Sequence, residues 1–110
     1  RRLAGGLVAK VETARLARTL GTLVRNGVPL MAALGIGRNV LGNRVLAEDV
    51  SAAAEEVKNG VALSTALGRN KHFPRLALQM IAVGEESGAL DAMLLRTAET
   101  FEQDTSLALD

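Results

Sequence analysis

The sequence predicts an all-α fold, a compact antiparallel bundle of six helices. Apolar residues recur every three or four positions, the spacing that places them on one face of a helix. Hydrophobic residues make up 48% of the 110-residue chain and aromatic residues only 2%, so its core is aliphatic and rich in Ala and Leu, which favour helices. No segment of the sequence alternates apolar and polar residues with period two, so a sheet is not expected. Short breaks between the helices are typical of antiparallel neighbours.

The first two predicted helices meet at an Asn-Gly pair. Residues 1–10 are expected to be a loosely ordered lead-in, and residues 11–110 to form one domain that begins with a helix from Val11 to Asn26. Gly27 follows as a left-handed stop. Pro29 then fits the first turn of the second helix, where its missing N–H group would be unpaired anyway.

The remaining four helices follow the same punctuation. Residues 45–59 carry apolar residues at helical spacing and end at a second Asn-Gly pair. Residues 63–67 form a short helix. Pro74 opens the fifth helix, and the last helix covers residues 90–109.

Four glycines fall inside these helical patterns, where each costs about 1 kcal/mol relative to Ala. We expect a neighbouring helix to approach closely at each of them, namely Gly21, Gly35, Gly37 and Gly84.

The end of the fifth helix carries the most distinctive stretch, GEESGALD. Glu85 and Glu86 lie at the negative end of the helix dipole, which disfavours each carboxylate by roughly 0.3–1 kcal/mol. Their presence predicts a compensating cation from the chain, a partner or a metal. Gly88 suits the turn and Ser87 a helix N-cap. Asp91 is well placed in the first turn of the last helix.

No residue pattern in the chain indicates catalysis. Adjacent glutamates diverge on a helix, so Glu85 and Glu86 do not form a proton-sharing pair. His72, the only histidine, is interpreted as a surface residue near a helix start. The Gly84–Gly88 pair lacks the Lys-Ser/Thr of a phosphate-binding loop. Because the chain has no cysteine, disulfides and thiolate metal sites are also excluded. We therefore expect that the chain is not an enzyme and that it binds no cofactor.

A calcium site stays open as an alternative at the same corner. Glu85, Glu86 and Asp91 offer the oxygen ligands that calcium prefers. Calcium needs six to eight oxygens, so the three carboxylates would need waters, carbonyls or a second chain. In this alternative the chain is a calcium-responsive helical regulatory module.

Charge suggests contacts with other proteins. The net charge is +1, but residues 1–50 carry eight basic and three acidic residues and residues 51–110 carry five and nine. This asymmetry suits charged partners on two sides or a homodimer. We interpret Arg15, Arg18 and Arg25 as a solvated stripe and as candidate partner contacts. The near-neutral total argues against a nucleic-acid binder, so a DNA-binding helical domain is the weaker alternative.

The chain starts at Arg1 and lacks the roughly 20-residue apolar run of a spanning helix. We therefore expect it to be a piece of a longer protein, with any membrane contact made by flanking segments.

Three stretches in order carry a resemblance to one family. ARLARTLGTLVRNGVPLMAAL at 14–34, VKNGVALSTAL at 57–67 and FPRLALQMIAVGEESGALDAMLLRTAETFEQD at 73–104 resemble the cytoplasmic domains of type II secretion protein F and of the PilC platform proteins of type IV pili. The resemblance covers residues 11–105. Ala62 departs from it, because a capping Ser is common there.

This resemblance implies a non-catalytic scaffold of the bacterial inner membrane, with the domain on its cytoplasmic side. Family members have two related six-helix domains, and the lead-in is more similar to the second. The implied partners are the secretion ATPase and other inner-membrane platform subunits, through which ATP-driven motion reaches the pseudopilins. The candidate contact residues are then the five at the corner and the three arginines: Glu85, Glu86, Ser87, Gly88, Asp91, Arg15, Arg18 and Arg25.

Overall fold

The computed structural model describes residues 6–109 of the chain, with side chains for residues 6–105. This range is all-helical and measures 37 × 25 × 22 Å. Its helices are α1 (Gly6–Arg25), α2 (Leu30–Asn39), α3 (Arg44–Lys58), α4 (Leu63–Leu67), α5 (Arg75–Ser87) and α6 (Leu90–Leu109). The predicted all-α class is confirmed, and five of the six helices start within one residue of the predicted position.

The first helix is longer than predicted. It begins at Gly6 instead of Val11, so residues 6–10 belong to α1 and the lead-in prediction is wrong for them. Two observations explain why the helix extends. The side chain of Ala9 is buried, and Lys10 forms an ion pair with Asp104 of α6. Residues 1–5 of the predicted lead-in lie outside the described residues.

Helices α1 and α6, each of 20 residues, lie side by side and form the longest pair in the structure. Positions that ascend along α1 pair with positions that descend along α6, so the two helices run antiparallel. The ion pairs that show this direction are Lys10–Asp104 at 2.9 Å, Arg18–Glu102 at 2.7 Å and Arg25–Asp91 at 3.2 Å. We call α1 and α6 the spine.

Three of the four helix-interior glycines lie where a neighbouring helix approaches closely. A Cβ atom built on Gly21 would lie 2.8 Å from the side chain of Leu95 in α6. One built on Gly37 would lie 2.9 Å from Leu16 of α1, and on Gly84 2.7 Å from Cβ of Met93. These approaches confirm the prediction. It is wrong for Gly35, where an added Cβ atom would meet no atom of another helix within 4 Å among the described residues.

The core is aliphatic, as the composition predicts. The large apolar side chains with relative exposure below 2% are Leu20, Leu34, Leu46, Leu63, Leu67, Leu94 and Val50. The two phenylalanines, Phe73 and Phe101, are also buried. Within residues 6–109, no helix combines the length and the apolar character needed to cross a membrane.

Two segments of the chain repeat one another in sequence and in backbone geometry. The first repeat, residues 24–34 (VRNGVPLMAAL), and the second repeat, residues 57–67 (VKNGVALSTAL), are identical at seven of eleven positions. Gly27 and Gly60 have φ of 91° and 96°, and each donates its N–H to the carbonyl three residues earlier, at 3.0 Å in both repeats. Pro29 and Ala62 precede the following helix with φ of −58° and −62°. Each repeat therefore ends one long helix and starts a short one by the same turn.

Candidate interaction site at the corner between α5 and α6

The predicted corner forms where α5 ends and α6 begins. Gly88 takes the left-handed conformation, with φ of 73°, and the N–H of Ala89 donates to the carbonyl of Gly84 at 2.9 Å. The absence of a side chain on Gly84 lets α6 pack directly against α5. Ser87 is not the N-cap that the sequence predicts, because it lies in the last turn of α5 and its hydroxyl donates to the carbonyl of Val83 at 2.8 Å.

Glu85 binds the start of another helix. Its carboxylate accepts the backbone N–H groups of Leu63 and Ser64 at 2.5 and 3.1 Å, and the hydroxyl of Ser64 at 2.7 Å. These N–H groups open α4, whose own preceding residue, Ala62, has no capping side chain. The partner of this carboxylate is therefore a helix N-terminus instead of the cation that the sequence predicts.

The other acidic residues of the corner differ in their surroundings. Glu86 is exposed and forms no ion pair within the described side chains. Asp91 accepts the N–H of Ala92 at 2.7 Å and the guanidinium of Arg25 at 3.2 Å. These two donors hold the pKa of Asp91 below its usual value, because they stabilise the ionised carboxylate.

The structure does not gather the predicted calcium ligands. Glu85 turns to α4 and Asp91 to α1, while Glu86 stays at the surface. Across the part of the chain that the structure describes, no three His, Cys, Asp or Glu side chains cluster in a way that could hold a metal ion. The oxygen ligands of the corner thus diverge, because Glu85 and Asp91 are bound to different helices and Glu86 is exposed.

The three candidate arginines are 43–52% exposed, in agreement with a solvated stripe, and each also forms an ion pair. Arg18 donates two hydrogen bonds to Glu102, at 3.0 and 2.7 Å, and Arg25 contacts Asp91. Arg18 lowers the pKa of Glu102 below its usual value by donating to the charged form. Arg15 pairs within α1 with Glu12, at 3.3 Å. Two of the three arginines therefore connect the helices of the spine.

Sequence reasoning missed two buried carboxylates that fix the fold. Glu12 is 5% exposed and accepts the N–H of Asn43 at the start of α3, at 2.6 Å. Asp49 is 8% exposed, and its carboxylate lies 2.5 Å from Nδ1 of His72. The His72 side chain is 34% exposed, so it is half-buried and not the surface residue that we predicted. A signal existed in both cases, since both acids fall on the apolar face of a predicted helix.

Comparisons with known proteins identify the family to which the sequence is similar. The family model of type II secretion system (T2SS) protein F matches residues 16–110. The chain is 69% identical over 106 residues to the type II secretion system protein F of Xanthomonas campestris pv. campestris, covering 96% of this chain and 26% of that protein. It is 47% identical over 102 residues to the protein of the same name from Pseudomonas aeruginosa, covering 93% and 25%.

Pilus assembly proteins match over the same range. The chain is 42% identical over 106 residues to the type IV pilus assembly protein PilC of Pseudomonas aeruginosa, covering 96% of this chain and 28% of that protein. The chain therefore spans about a quarter of the length of these curated relatives.

Proposed function

The chain belongs to the type II secretion system protein F family, and from this premise we propose that it is a non-catalytic scaffold domain of a platform for protein secretion or type IV pilus assembly. In this proposal it lies on the cytoplasmic side of the bacterial inner membrane, as the second of two related domains. Its partners are the secretion ATPase and other inner-membrane platform subunits. It couples the ATPase to pseudopilin assembly and export.

The spine is the observation that carries this proposal. Two 20-residue helices, each about 30 Å long, are joined by three ion pairs and packed closely at Gly21. Packed helices resist deformation, so a push at one end of the spine displaces the other end. We propose that the remaining helices also alternate in direction and stiffen this pair.

The corner at the end of α5 is the proposed contact with the ATPase. Glu86, Ser87 and Gly88 are exposed there and free to meet a partner. Glu85 and Asp91 lie beside them but are bound to α4 and α1, so their role in the contact is to hold the corner in place. Arg18 and Arg25 act in the same way, by joining the spine.

Binding of the cognate ATPase to this chain tests the proposal. We expect Glu86→Lys to weaken binding at least tenfold in isothermal titration calorimetry. The new positive charge would repel the cationic group that Glu86 contacts in the partner. Glu55→Lys is the matched control, because Glu55 is an exposed helical glutamate of α3 that lies outside the corner. Equal affinities of the two variants would remove the corner from the interface.

A further inference from the structure

A loop joins α4 to α5, and three of its side chains bind α3. The guanidinium of Arg69 donates to Glu56, at 2.8 Å for the shortest contact. Asn70 donates to one carboxylate oxygen of Asp49 at 3.0 Å, and Nδ1 of His72 lies 2.5 Å from the other. Because Asp49 is buried, its two contacts fix the backbone of the loop on both sides of one residue.

The residue between these contacts is Lys71, and its backbone is strained. Its φ of 59° lies in the left-handed region, which carries a steric cost for a residue with a side chain. Lys71 is the only residue other than glycine with positive φ between residues 6 and 109. Its neighbours' contacts with Asp49 offset this cost. The loop thereby constrains the backbone of an exposed lysine.

Lys71 lies beside a groove of about 390 Å³. The lining consists of Gly68, Phe73 and Leu78, which are apolar, and of the two cationic residues Lys71 and Arg75. Neither cation forms an ion pair with a carboxylate in the part of the chain with described side chains. Arg75 is also the first residue of α5, a helix without an acidic residue in its first turn. The helix dipole adds positive potential at that end. We call this site the Lys71–Arg75 groove.

We infer that the Lys71–Arg75 groove binds an acidic segment of a protein partner, with carboxylates on the two cations and an apolar side chain against Phe73 and Leu78. Charge complementarity selects an acidic ligand. The apolar lining between the cations favours a peptide over a lipid headgroup, because a peptide places an apolar side chain next to its carboxylates. The groove adjoins the start of α5, about 18 Å along that helix from the corner, so the inference stands independently of the proposed ATPase contact.

Selection from a displayed library of random peptides tests the inference on this chain. We expect the selected peptides to carry Asp or Glu next to Leu, Ile or Phe. Their affinity is then measured by fluorescence anisotropy against the double variant Lys71→Glu/Arg75→Glu. We expect at least a tenfold loss, because both cations become repulsive. The double variant Lys58→Glu/Arg96→Glu is the matched control, since it reverses one exposed lysine and one exposed arginine that do not line the groove.

Four outcomes would overturn the inference. The first is selection of peptides without acidic enrichment, and the second is equal affinity for the groove and control variants. The third is binding to phosphatidylglycerol vesicles that only the groove variant loses, which would assign the groove to a membrane surface. The last is a dimer in sedimentation that only the groove variant loses, which would assign the groove to a second copy of the chain.

Discussion

The two repeats of the chain have the same turn but different helix starts. In the second repeat, the carboxylate of Glu85 binds the first N–H groups of α4. In the first repeat, Pro29 precedes α2 and no described side chain accepts the N–H groups of Leu30 or Met31. A local sequence pattern therefore determines the turn. A helix packed beside the turn determines how the start of the next helix is capped.

The helix beside each repeat explains why only one start is capped. Helix α5 packs against α4 and brings Glu85 to it. Helix α2 packs against α1 and α3, and its outer face carries Met31 and Ile36, which are exposed. The Glu85 carboxylate thus stabilises the positive end of α4 at the second repeat.

Removal of the Glu85 carboxylate should leave both helix starts uncapped, and we expect it to have the largest effect on stability. We expect Glu85→Ala to lower the free energy of unfolding by about 2 kcal/mol, because it leaves two backbone donors and the hydroxyl of Ser64 without their acceptor. Urea denaturation measures the loss. Glu86→Ala is the control, with an expected change within about 0.5 kcal/mol for an exposed residue.

A local cap should compensate for the lost carboxylate. Ala62→Asp supplies an acceptor at the position that precedes α4, and in the Glu85→Ala background we expect it to restore about 1 kcal/mol. In the presence of Glu85 the same substitution should gain less, because the N–H groups are already bound. Equal gains in both backgrounds would show that Glu85 does not cap α4.

Substitution of the two turn glycines should have equal effects. We expect Gly27→Ala and Gly60→Ala each to lower the free energy of unfolding by about 1–2 kcal/mol, since both glycines have positive φ and neither added Cβ meets another atom within 4 Å. The check is the same urea denaturation. Gly35→Ala is the control with the opposite sign, because Gly35 lies inside α2 with open space around it and Ala favours a helix. Clearly unequal losses would mean that the two turns are not equivalent.

The smallest effect concerns the basic residue of each repeat. Arg25 and Lys58 occupy the last turn of α1 and of α3, but among the described side chains only Arg25 has a carboxylate partner, Asp91. We expect Arg25→Ala to have a lower Tm than Lys58→Ala near neutral pH. The pKa of Asp91 is lowered in the folded state, so the contribution of the pair is present above the unfolded-state pKa, near 4. It is lost as the pH falls through the folded-state pKa.

Thermal melts at about pH 7 and about pH 2 measure this difference. The gap between the two variants should narrow at the lower pH, because protonation of Asp91 removes the charge that Arg25 binds. A gap that persists there would assign the effect of Arg25 to packing instead of charge.

Much of the backbone could be predicted because the rules that determine it are local. Gly27, Pro29 and Gly60 act within a few residues of themselves, and their turns form as predicted. The bounds of α4 and α6 agree with the predicted ranges for the same reason. The predicted start of α1 was wrong by five residues, because Ala9 and Lys10 are fixed by contacts with distant parts of the chain.

An aliphatic, all-helical domain with a glycine corner after α5 could be predicted from the sequence alone. Helix periodicity and turn chemistry depend on residues that are close together in the chain. Only the tertiary structure decided which charges meet. Glu85 caps α4, Asp49 binds His72, and Arg18 pairs with Glu102 across 84 positions of the chain. A carboxylate can accept from any donor within about 3 Å, so its partner depends on how the helices pack and not on its position in the sequence.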